Sequence, residues 1–364
     1  MSLCYKKITV KVGSNVLTKS DGTLNVPRIA HLVEQISVLH KAGVEVVLVS
    51  SGAVASGRAV LTPSRKTDAV SSRQLWAALG QVKLMSRYSD LFREYDLICA
   101  QVLTTKENFS SRAHYLNMKN CISTLLENGV IPIVNENDTI SVTELMFTDN
   151  DELSGLMATL ASSEALIILS NVDGVYDGNP QDAGSHVIAE ISNQTGAPEI
   201  QIEEATSQFG RGGMITKLRI ARKVAASGIA VHIANGGRDN ILLDLMDTEK
   251  KVPHTAFIPV EKSVSGVKNW IAYSDSFTKS TVVINEGAKK ALMSAKAVSL
   301  LPVGVVEVQG DFKSGDLLKI VDEENHSIGI GRARFGSDKL EKEKMAGRQK
   351  PLIHYDYLYL ESGI

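Results

Sequence analysis

Two lysines lie next to glycine-rich turns, far apart in the sequence. Lys11 precedes Gly13 at the end of an apolar, β-branched run, and Lys217 lies in the first turns of a predicted helix that follows three glycines at 210, 212 and 213. Glycine lets the backbone approach an anion closely, and neighbouring amides can donate hydrogen bonds to it. Because a lysine gains nothing from the dipole at a helix start, the placement of Lys217 favours an anionic ligand. An ordinary loop beside a solvated lysine is the alternative at both places.

Clusters of amide, hydroxyl and carboxylate side chains follow other apolar runs. Ser51 and Gly52 come after the second run, and the fourth run ends in Asn-Glu-Asn-Asp at 135–138. Asn supplies a donor and an acceptor, and Asp supplies an anion for an ammonium group, which suits the binding of an amino acid. A turn rich in Asn and Asp explains the segment equally well. A further cluster, Asp-Asn-Asp-Glu at 149–152, opens a predicted helix, where acidic residues also suit the dipole.

Short apolar runs alternate with segments of helical periodicity over the first three quarters of the chain. Strands that are apolar on both faces and alternate with helices predict an α/β fold, a mainly parallel sheet sandwiched by helices. Ligands of such sheets bind beyond the carboxyl ends of the strands, so the polar clusters should share one edge. The predicted strands are Ile8–Val12, Val44–Val49, Leu97–Leu103, Val130–Val134, Ala165–Leu169 and Ile229–Ala234, and the predicted helices are Val26–Ala42, Ser71–Tyr95, Ser111–Asn128, Glu152–Ala161 and Ile215–Ala226.

The pattern changes near residue 260. We predict a first domain at 1–262, a linker at 263–277 and a second domain at 278–364 that forms a small β-barrel. The second domain has 13 basic and 12 acidic residues, which is weak electrostatic support for binding RNA. Its predicted elements are the strands Thr281–Ile284, Val305–Val308, Leu317–Ile320 and Ser327–Arg334 and the helix Glu286–Ala295.

Composition excludes several classes of protein. The 364 residues are 43% hydrophobic and 22% charged, with a formal net charge of −2, so neither nucleic acid nor a membrane surface is favoured as the main partner. Three cysteines without paired spacing make neither a disulfide framework nor a zinc site. The first residues lack the pattern of a signal peptide and no apolar run is long enough to span a bilayer, so we expect a cytoplasmic protein. The P-loop and Rossmann motifs are absent.

The chemistry-bearing segments, in this order, resemble the amino acid kinase superfamily, and within it the members that phosphorylate the γ-carboxylate of glutamate. The C-terminal part is similar to a PUA domain, through residues 299–305, 310–312 and 315–316. The motifs that carry the resemblance in the first domain are Lys11–Leu17, Val49–Gly57, Ile133–Thr139, Asp149–Leu153, Asp173–Asp177 and Gly210–Lys217.

The resemblance implies ATP and Mg²⁺ as cofactors, with the metal bound mainly through ATP phosphates and no metal site on the protein itself. It also implies the first step of proline biosynthesis, inhibition by proline, handover of the product to a reductase, and a homo-oligomer. Two residues depart from the family pattern: Asn171 stands where the family usually has Asp, and Arg211 where Thr is common.

The resemblance further implies a role for each matching residue. Lys11 and Lys217 would flank the transferred phosphoryl group, Asp151 would orient them, and the amides of Gly13 and Gly52 would add hydrogen bonds. Glutamate would be held by Ser51, Asn135, Asp138 and Asn150. ATP would be held by Lys11, Ser170, Asn171, Gly212, Gly213, Met214, Ile215, Thr216 and Lys217.

Two other functions stay open. One is another kinase of the superfamily, acting on acetylglutamate, aspartate, carbamate or a nucleoside monophosphate, although Asp138 disfavours acetylglutamate because that substrate has no free ammonium. The other is an RNA-binding or RNA-modifying protein that acts through the PUA-like domain.

Overall fold

The structure is a computed structural model with two compact units, residues 1–263 and 264–364. None of the described helices is both long enough and apolar enough to cross a membrane. The structure describes residues 2–62, 67–109, 112–141, 150–180, 182, 184–192, 213–260, 271, 278, 280–294, 298–345 and 350–360.

An eight-stranded sheet forms the centre of the first unit, in the order β3-β4-β2-β1-β5-β7-β8-β6. Six neighbouring strands from β3 to β7 run parallel, which confirms the predicted mainly parallel sheet. β8 pairs antiparallel with β7, and β6 runs parallel to β8 at the outer edge. The strands are β1 (Lys7–Val12), β2 (Glu45–Val49), β3 (Cys99–Thr104), β4 (Ile131–Glu136), β5 (Ala165–Ser170), β6 (Glu190–Ser192), β7 (Ala230–Asn235) and β8 (His254–Ile258).

The helices of the first unit include the five that the periodicity predicted, with ends shifted by one or two residues. Three short helices and the strands β6 and β8 were not predicted, because each is too short to show a period. The helices are α1 (Ser14–Leu17), α2 (Val26–Lys41), α3 (Ala53–Arg58), α4 (Ala69–Arg93), α5 (Arg112–Glu127), α6 (Asn150–Ala161), α7 (Met214–Ala226) and α8 (Ile241–Met246).

The central strands are buried along their whole length. Every residue of β4 and β5 is buried, as is every residue of β1 after the first. Burial on both faces explains why these strands are continuous apolar runs rather than alternating ones. Polar residues at their carboxyl ends therefore lie at the end of a rigid, close-packed core.

Helices α3 and α4 pack with their backbones in contact. A Cβ atom on Gly57 would lie 1.8 Å from the carbonyl oxygen of Trp76, and one on Gly80 would lie 1.8 Å from that of Ala53. Only glycine fits at either position. The indole Nε1 of Trp76 also donates to the carbonyl of Leu61 over 2.9 Å. This contact fixes α4 against the segment that follows α3.

The second unit contains one mixed five-stranded sheet, in the order β10-β9-β11-β12-β13. The pair β9–β11 is parallel and the other three pairs are antiparallel. The strand β13 was not predicted, and most of the predicted linker lies outside the described residues. The elements are β9 (Ser280–Ile284), α9 (Glu286–Leu292), β10 (Val305–Gln309), β11 (Leu317–Val321), β12 (Ser327–Ala333), α10 (Leu340–Lys344) and β13 (Ile353–Leu360).

Candidate active site

The turn after β1 lies directly against the end of β5. Gly13 donates its amide to the carbonyl oxygen of Leu169 over 3.2 Å, so this amide is already engaged. A Cβ atom on Gly13 would lie 3.3 Å from the same oxygen and 3.6 Å from Nζ of Lys11. Glycine is therefore needed for close packing here, and a hydrogen bond from its amide to a phosphate would have to share the proton with Leu169.

Asp151 joins the two lysines that the sequence places 206 residues apart. Nζ of Lys11 lies 2.6 Å from Oδ1 of Asp151, and Nζ of Lys217 lies 3.0 Å from Oδ2. Asp151 is fully buried and both lysines are nearly so. The carboxylate comes from the first turn of α6, Lys11 from β1 and Lys217 from α7. Three separate elements thus bring these charges together.

The charge state of Asp151 follows from two opposing effects. Burial alone would raise the pKa of Asp151. The charges of Lys11 and Lys217 and the hydrogen bonds from these lysines lower it by more, so the pKa lies below the usual value. Asp151 is therefore ionised at neutral pH and neutralises one of the two lysine charges. The trio keeps a net charge of about +1, which suits an anionic ligand.

The turn after β2 has the left-handed geometry that favours glycine. Gly52 has φ of +95° and precedes α3. Its amide donates to no group among the described residues. Ser51 beside it is buried and contacts the first residue of α6.

Asn150 connects the ends of two strands, β2 and β4, through one side-chain amide. Its Nδ2 lies 2.8 Å from the carbonyl of Ser50, 2.8 Å from Oγ of Ser51 and 3.2 Å from Oδ1 of Asn135. Asn135 in turn donates from Nδ2 to Oε1 of Gln81 on α4 over 2.9 Å. Nε2 of Gln81 is buried and has no hydrogen-bond partner among the described residues. An unpaired buried donor of this kind is costly unless a ligand or water satisfies it.

Asp138 is paired with an arginine that the sequence analysis did not single out. Nε and Nη2 of Arg73 lie 3.1 and 2.6 Å from Oδ1 of Asp138. The next residue of α4, Gln74, donates to the carbonyl of Thr139 over 2.8 Å. Helix α4 therefore holds the turn after β4 in place.

The residues predicted to bind the nucleotide lie at the carboxyl end of β5 and at the start of α7. Oγ of Ser170 lies 3.4 Å from Oδ1 of Asn171, and Asn171 is exposed. Gly213 is the N-cap residue of the 13-residue helix α7 and has no side chain that could accept a hydrogen bond from the first amides of that helix. Gly212 lies outside the described residues, as do Gly210 and Arg211. Met214, Ile215 and Thr216 form the first turn before Lys217.

A second arginine pair supports the loop after β5. Nε and Nη2 of Arg238 donate to the two carboxylate oxygens of Asp173 over 2.8 and 2.7 Å. Hydrogen bonds from Arg238 are the main cause of the lowered pKa of Asp173. This bidentate pair joins the loops that follow β5 and β7.

Three residues near the site, Arg73, Gln81 and Arg238, were not among those predicted from the sequence. Arg73 and Gln81 are eight residues apart on α4, and a helix places residues at i, i+4 and i+8 close to one face. Two polar side chains at that spacing on a long amphipathic helix were the available signal. No such local signal exists for Arg238, because its partner lies 65 residues away.

One cavity of about 380 Å³ lies in the second unit, between β10 and α10. Its lining includes the acidic residues Glu307, Asp311, Asp338 and Glu341. Its one basic residue, Lys344, pairs with Glu341 over 2.9 Å. An acidic lining repels a phosphate backbone, so this cavity does not favour RNA.

Comparisons with known proteins show which families match this chain. The model of the amino acid kinase family matches residues 6–235, and that of the PUA domain matches residues 280–354. Glutamate 5-kinase of Bacteroides thetaiotaomicron is 54% identical over 98% of this chain and 99% of its own length. Glutamate 5-kinase of Chlorobaculum tepidum is 45% identical over 98% of both chains.

A solved structure agrees in fold alone. Carbamate kinase from Giardia lamblia bound to AMP-PNP is 21% identical, has a TM-score of 0.50, and covers 71% of this chain and 100% of its own. The chain therefore belongs to the amino acid kinase family, in the branch of the glutamate 5-kinases.

Proposed function

We propose that this protein transfers the γ-phosphoryl group of ATP to the γ-carboxylate of L-glutamate, giving L-glutamyl 5-phosphate in the first step of proline biosynthesis. The observation that carries the proposal is the contact of Lys11 and Lys217 with the two oxygens of Asp151. Two ammonium groups held by one carboxylate, at the edge where the central strands end, suit a phosphoryl group in transfer.

The reaction needs positioning more than proton transfer. The γ-carboxylate of glutamate is ionised at neutral pH, so no general base is required. One of its oxygens attacks the γ-phosphorus, the bond to the β,γ-bridging oxygen breaks, and ADP leaves with that electron pair. Bringing two anions together in line is the main difficulty, and it is overcome by fixed positive charge.

Asp151 acts as a positioning residue in this mechanism. Its carboxylate holds both ammonium groups and is too buried and too fully paired to accept a substrate proton. Because it cancels one of the two positive charges, the trio remains stable when the site is empty. The remaining charge attracts the γ-phosphate.

Mg²⁺ belongs to the proposal as a cofactor that arrives with ATP. The one carboxylate among the trio, Asp151, is occupied by two lysines, so it is a poor ligand for a metal that prefers free oxygen donors. The metal would be held by phosphate oxygens, where it neutralises negative charge on the nucleotide.

Glutamate would lie among the residues that follow β2 and β4. Ser51, Asn135 and Asn150 form one hydrogen-bonded cluster beside Asp151, and Gln81 adds a buried donor without a partner among the described residues. Asp138 supplies the anion for the substrate ammonium. ATP would contact Ser170, Asn171 and the segment 212–217, with its phosphates at the start of α7.

Further parts of the proposal concern partners. Inhibition by proline, handover of the labile acyl phosphate to a reductase, a homo-oligomeric assembly and a cytoplasmic location are expected from the resemblance to glutamate 5-kinases.

The amide of Gly52, which has no partner among the described residues, is proposed as a donor to the transferred phosphoryl group. The amide of Gly13 is proposed only as a shared donor.

The test is an ATP-consumption assay with a panel of acceptors. We expect turnover with L-glutamate, trapping of the product as a hydroxamate with hydroxylamine, and a decrease on adding proline. Acetylglutamate, aspartate, carbamate and nucleoside monophosphates serve as comparison acceptors. Faster turnover of any of these than of glutamate would contradict the proposed substrate.

A further inference from the structure

We propose that Arg73 is a substrate-binding residue, and that Arg73 and Asp138 together recognise the zwitterionic α-amino acid group of the substrate. Arg73 would hold the α-carboxylate while Asp138 holds the α-ammonium. The proposal rests on the proposed function, because it concerns the far end of the same substrate.

The geometry of the pair leaves one donor nitrogen and one acceptor oxygen without a partner among the described residues. Both Nε and Nη2 of Arg73 donate to the same oxygen, Oδ1 of Asp138, over 3.1 and 2.6 Å. No described residue donates to Oδ2 of Asp138, and Nη1 of Arg73 donates to no described residue. A ligand with one cationic and one anionic group would satisfy both atoms.

The pair of Arg238 and Asp173 in the first unit shows what a self-contained pair looks like. Arg238 donates one hydrogen bond to each oxygen of Asp173, over 2.8 and 2.7 Å, and so uses the whole carboxylate. That fork-to-fork arrangement is the usual geometry of a stable pair. Because Arg73 contacts a single oxygen, the pair it forms with Asp138 is incomplete in a way that the Arg238 pair is not.

Exposure also differs within the pair. The side chain of Asp138 is 9% exposed and that of Arg73 is 28% exposed. The arginine therefore keeps part of its guanidinium accessible while the carboxylate is almost enclosed. A ligand can reach the open part of Arg73 without first breaking the bond to Oδ1.

The charges select the type of ligand. Arg73 and Asp138 together are neutral, so a simple amine would gain little there, because the carboxylate is already offset by the guanidinium. The head of an α-amino acid is also neutral overall and presents both signs to the pair. An N-acylated amino acid lacks the cation, which leaves Oδ2 of Asp138 unsatisfied beside an added anion.

Helix α4 holds Arg73 firmly in place. Gln74 beside it bonds the carbonyl of Thr139 over 2.8 Å, and Gln81 two turns later bonds Asn135 over 2.9 Å. Gly80 packs against the backbone of Ala53. Helix α4 therefore carries both Arg73, at the α-amino acid end of the substrate, and Gln81, in the cluster beside Asp151.

The test uses steady-state kinetics of the full chain with two acceptors. L-Glutamate carries an α-carboxylate, and 4-aminobutyrate is the same molecule without it, with the reacting carboxylate intact. We expect Arg73→Gln to raise the glutamate KM about 10- to 100-fold, the range for losing a charge-assisted hydrogen bond, with little change in kcat or in the ATP KM. The KM for 4-aminobutyrate should stay the same or fall, because Asp138 then keeps its full charge for the ammonium.

Two controls separate binding from folding. Arg87→Gln, on the exposed side of α4, should leave both KM values unchanged. Arg73→Lys should restore part of the glutamate affinity, because it keeps the charge. Equal losses with both acceptors, or no change with either, would overturn the proposal.

Thermal stabilisation by glutamate without ATP gives a readout that does not depend on turnover. Glutamate should raise the Tm of the wild-type chain and of Arg87→Gln, and raise that of Arg73→Gln much less. Stabilisation without any turnover would contradict the proposed reaction while leaving the recognition site standing. An equal rise in the wild-type chain and Arg73→Gln would remove the recognition site alone.

Discussion

Two buried carboxylates, Asp151 and Asp138, are paired in opposite ways within the same unit. Asp151 has a lysine on each oxygen and is fully enclosed, which leaves a net positive charge. Asp138 has one arginine on one oxygen, which leaves the pair neutral with a second oxygen that accepts from none of the described residues. The net positive trio suits a phosphoryl group in transfer, and the neutral pair suits a zwitterion. The net charge of each group of side chains therefore indicates which part of the substrates it binds.

Removing either lysine tests directly whether the positive charge around Asp151 is needed for phosphoryl transfer. We expect Lys11→Ala and Lys217→Ala each to lower kcat by about 10²- to 10³-fold, the loss seen when one preorganised charge-stabilising donor is removed. The measurement is ATP turnover at saturating glutamate. Arg219→Ala, an exposed position on the same helix as Lys217, is the control and should keep near-normal turnover. Near-normal turnover in both lysine variants would break the comparison.

Asp151→Asn tests whether the carboxylate is what holds the two lysines together. The amide leaves two buried ammonium groups without a counter-charge, so we expect the free energy of unfolding to fall by about 3 kcal/mol at pH 7. Urea unfolding measures it. Because the folded pKa of Asp151 is lowered, its stabilisation is complete above the unfolded pKa of about 3.9 and is lost as the pH falls through the folded value.

The pH dependence gives the contradicting outcome for this variant. The difference in stability between the wild-type chain and Asp151→Asn should be constant from pH 5 to 8 and shrink only in more acidic solution. A difference that already shrinks between pH 7 and 5 would mean that Asp151 is not held ionised by the lysines.

Gly80→Ala is expected to disturb the Arg73–Asp138 pair more than the Asp151 trio, because it moves helix α4. A Cβ atom there would lie 1.8 Å from the carbonyl of Ala53, so α4 must move away from α3, at a cost of about 2 kcal/mol. Because α4 carries Arg73 and Gln81 but no residue of the Asp151 trio, the glutamate KM should rise more than the ATP KM. Equal changes in both would show that α4 does not act on the amino acid alone.

Asp138→Asn is expected to have the smallest effect. Loss of the anion should raise the glutamate KM by about tenfold, the lower end for a hydrogen bond to a charged group, with kcat changed less than about threefold. The readout is the split between KM and kcat. Asp90→Asn, an exposed residue of α4, serves as the control. A fall in kcat without a change in KM would place Asp138 in the chemistry instead.

The central sheet could be predicted from the sequence because each buried strand is a continuous apolar run. The polar residues at the strand ends followed from the rule that ligands bind beyond the carboxyl edge. The strands β6 and β8 could not be predicted, because they have only three and five residues and show too little periodicity.

The partners of the site residues were mostly beyond the reach of local patterns. Lys11 and Lys217 were paired with Asp151 by family resemblance, since nothing in the sequence itself measures a distance between them. Arg73 and Asp138 are 65 residues apart, and only tertiary packing brings them together. The engagement of the Gly13 amide by Leu169 likewise depends on how β1 and β5 pair.

The most direct test of the central claim is a crystal structure with glutamate, MgADP and a planar aluminium fluoride in place of the transferred phosphoryl group. The account predicts Nζ of Lys11 and Nζ of Lys217 both within hydrogen-bonding distance of that group or of the oxygens it bridges, with Asp151 between them. Lysines that point into separate cavities, with either one far from the fluoride, would contradict it.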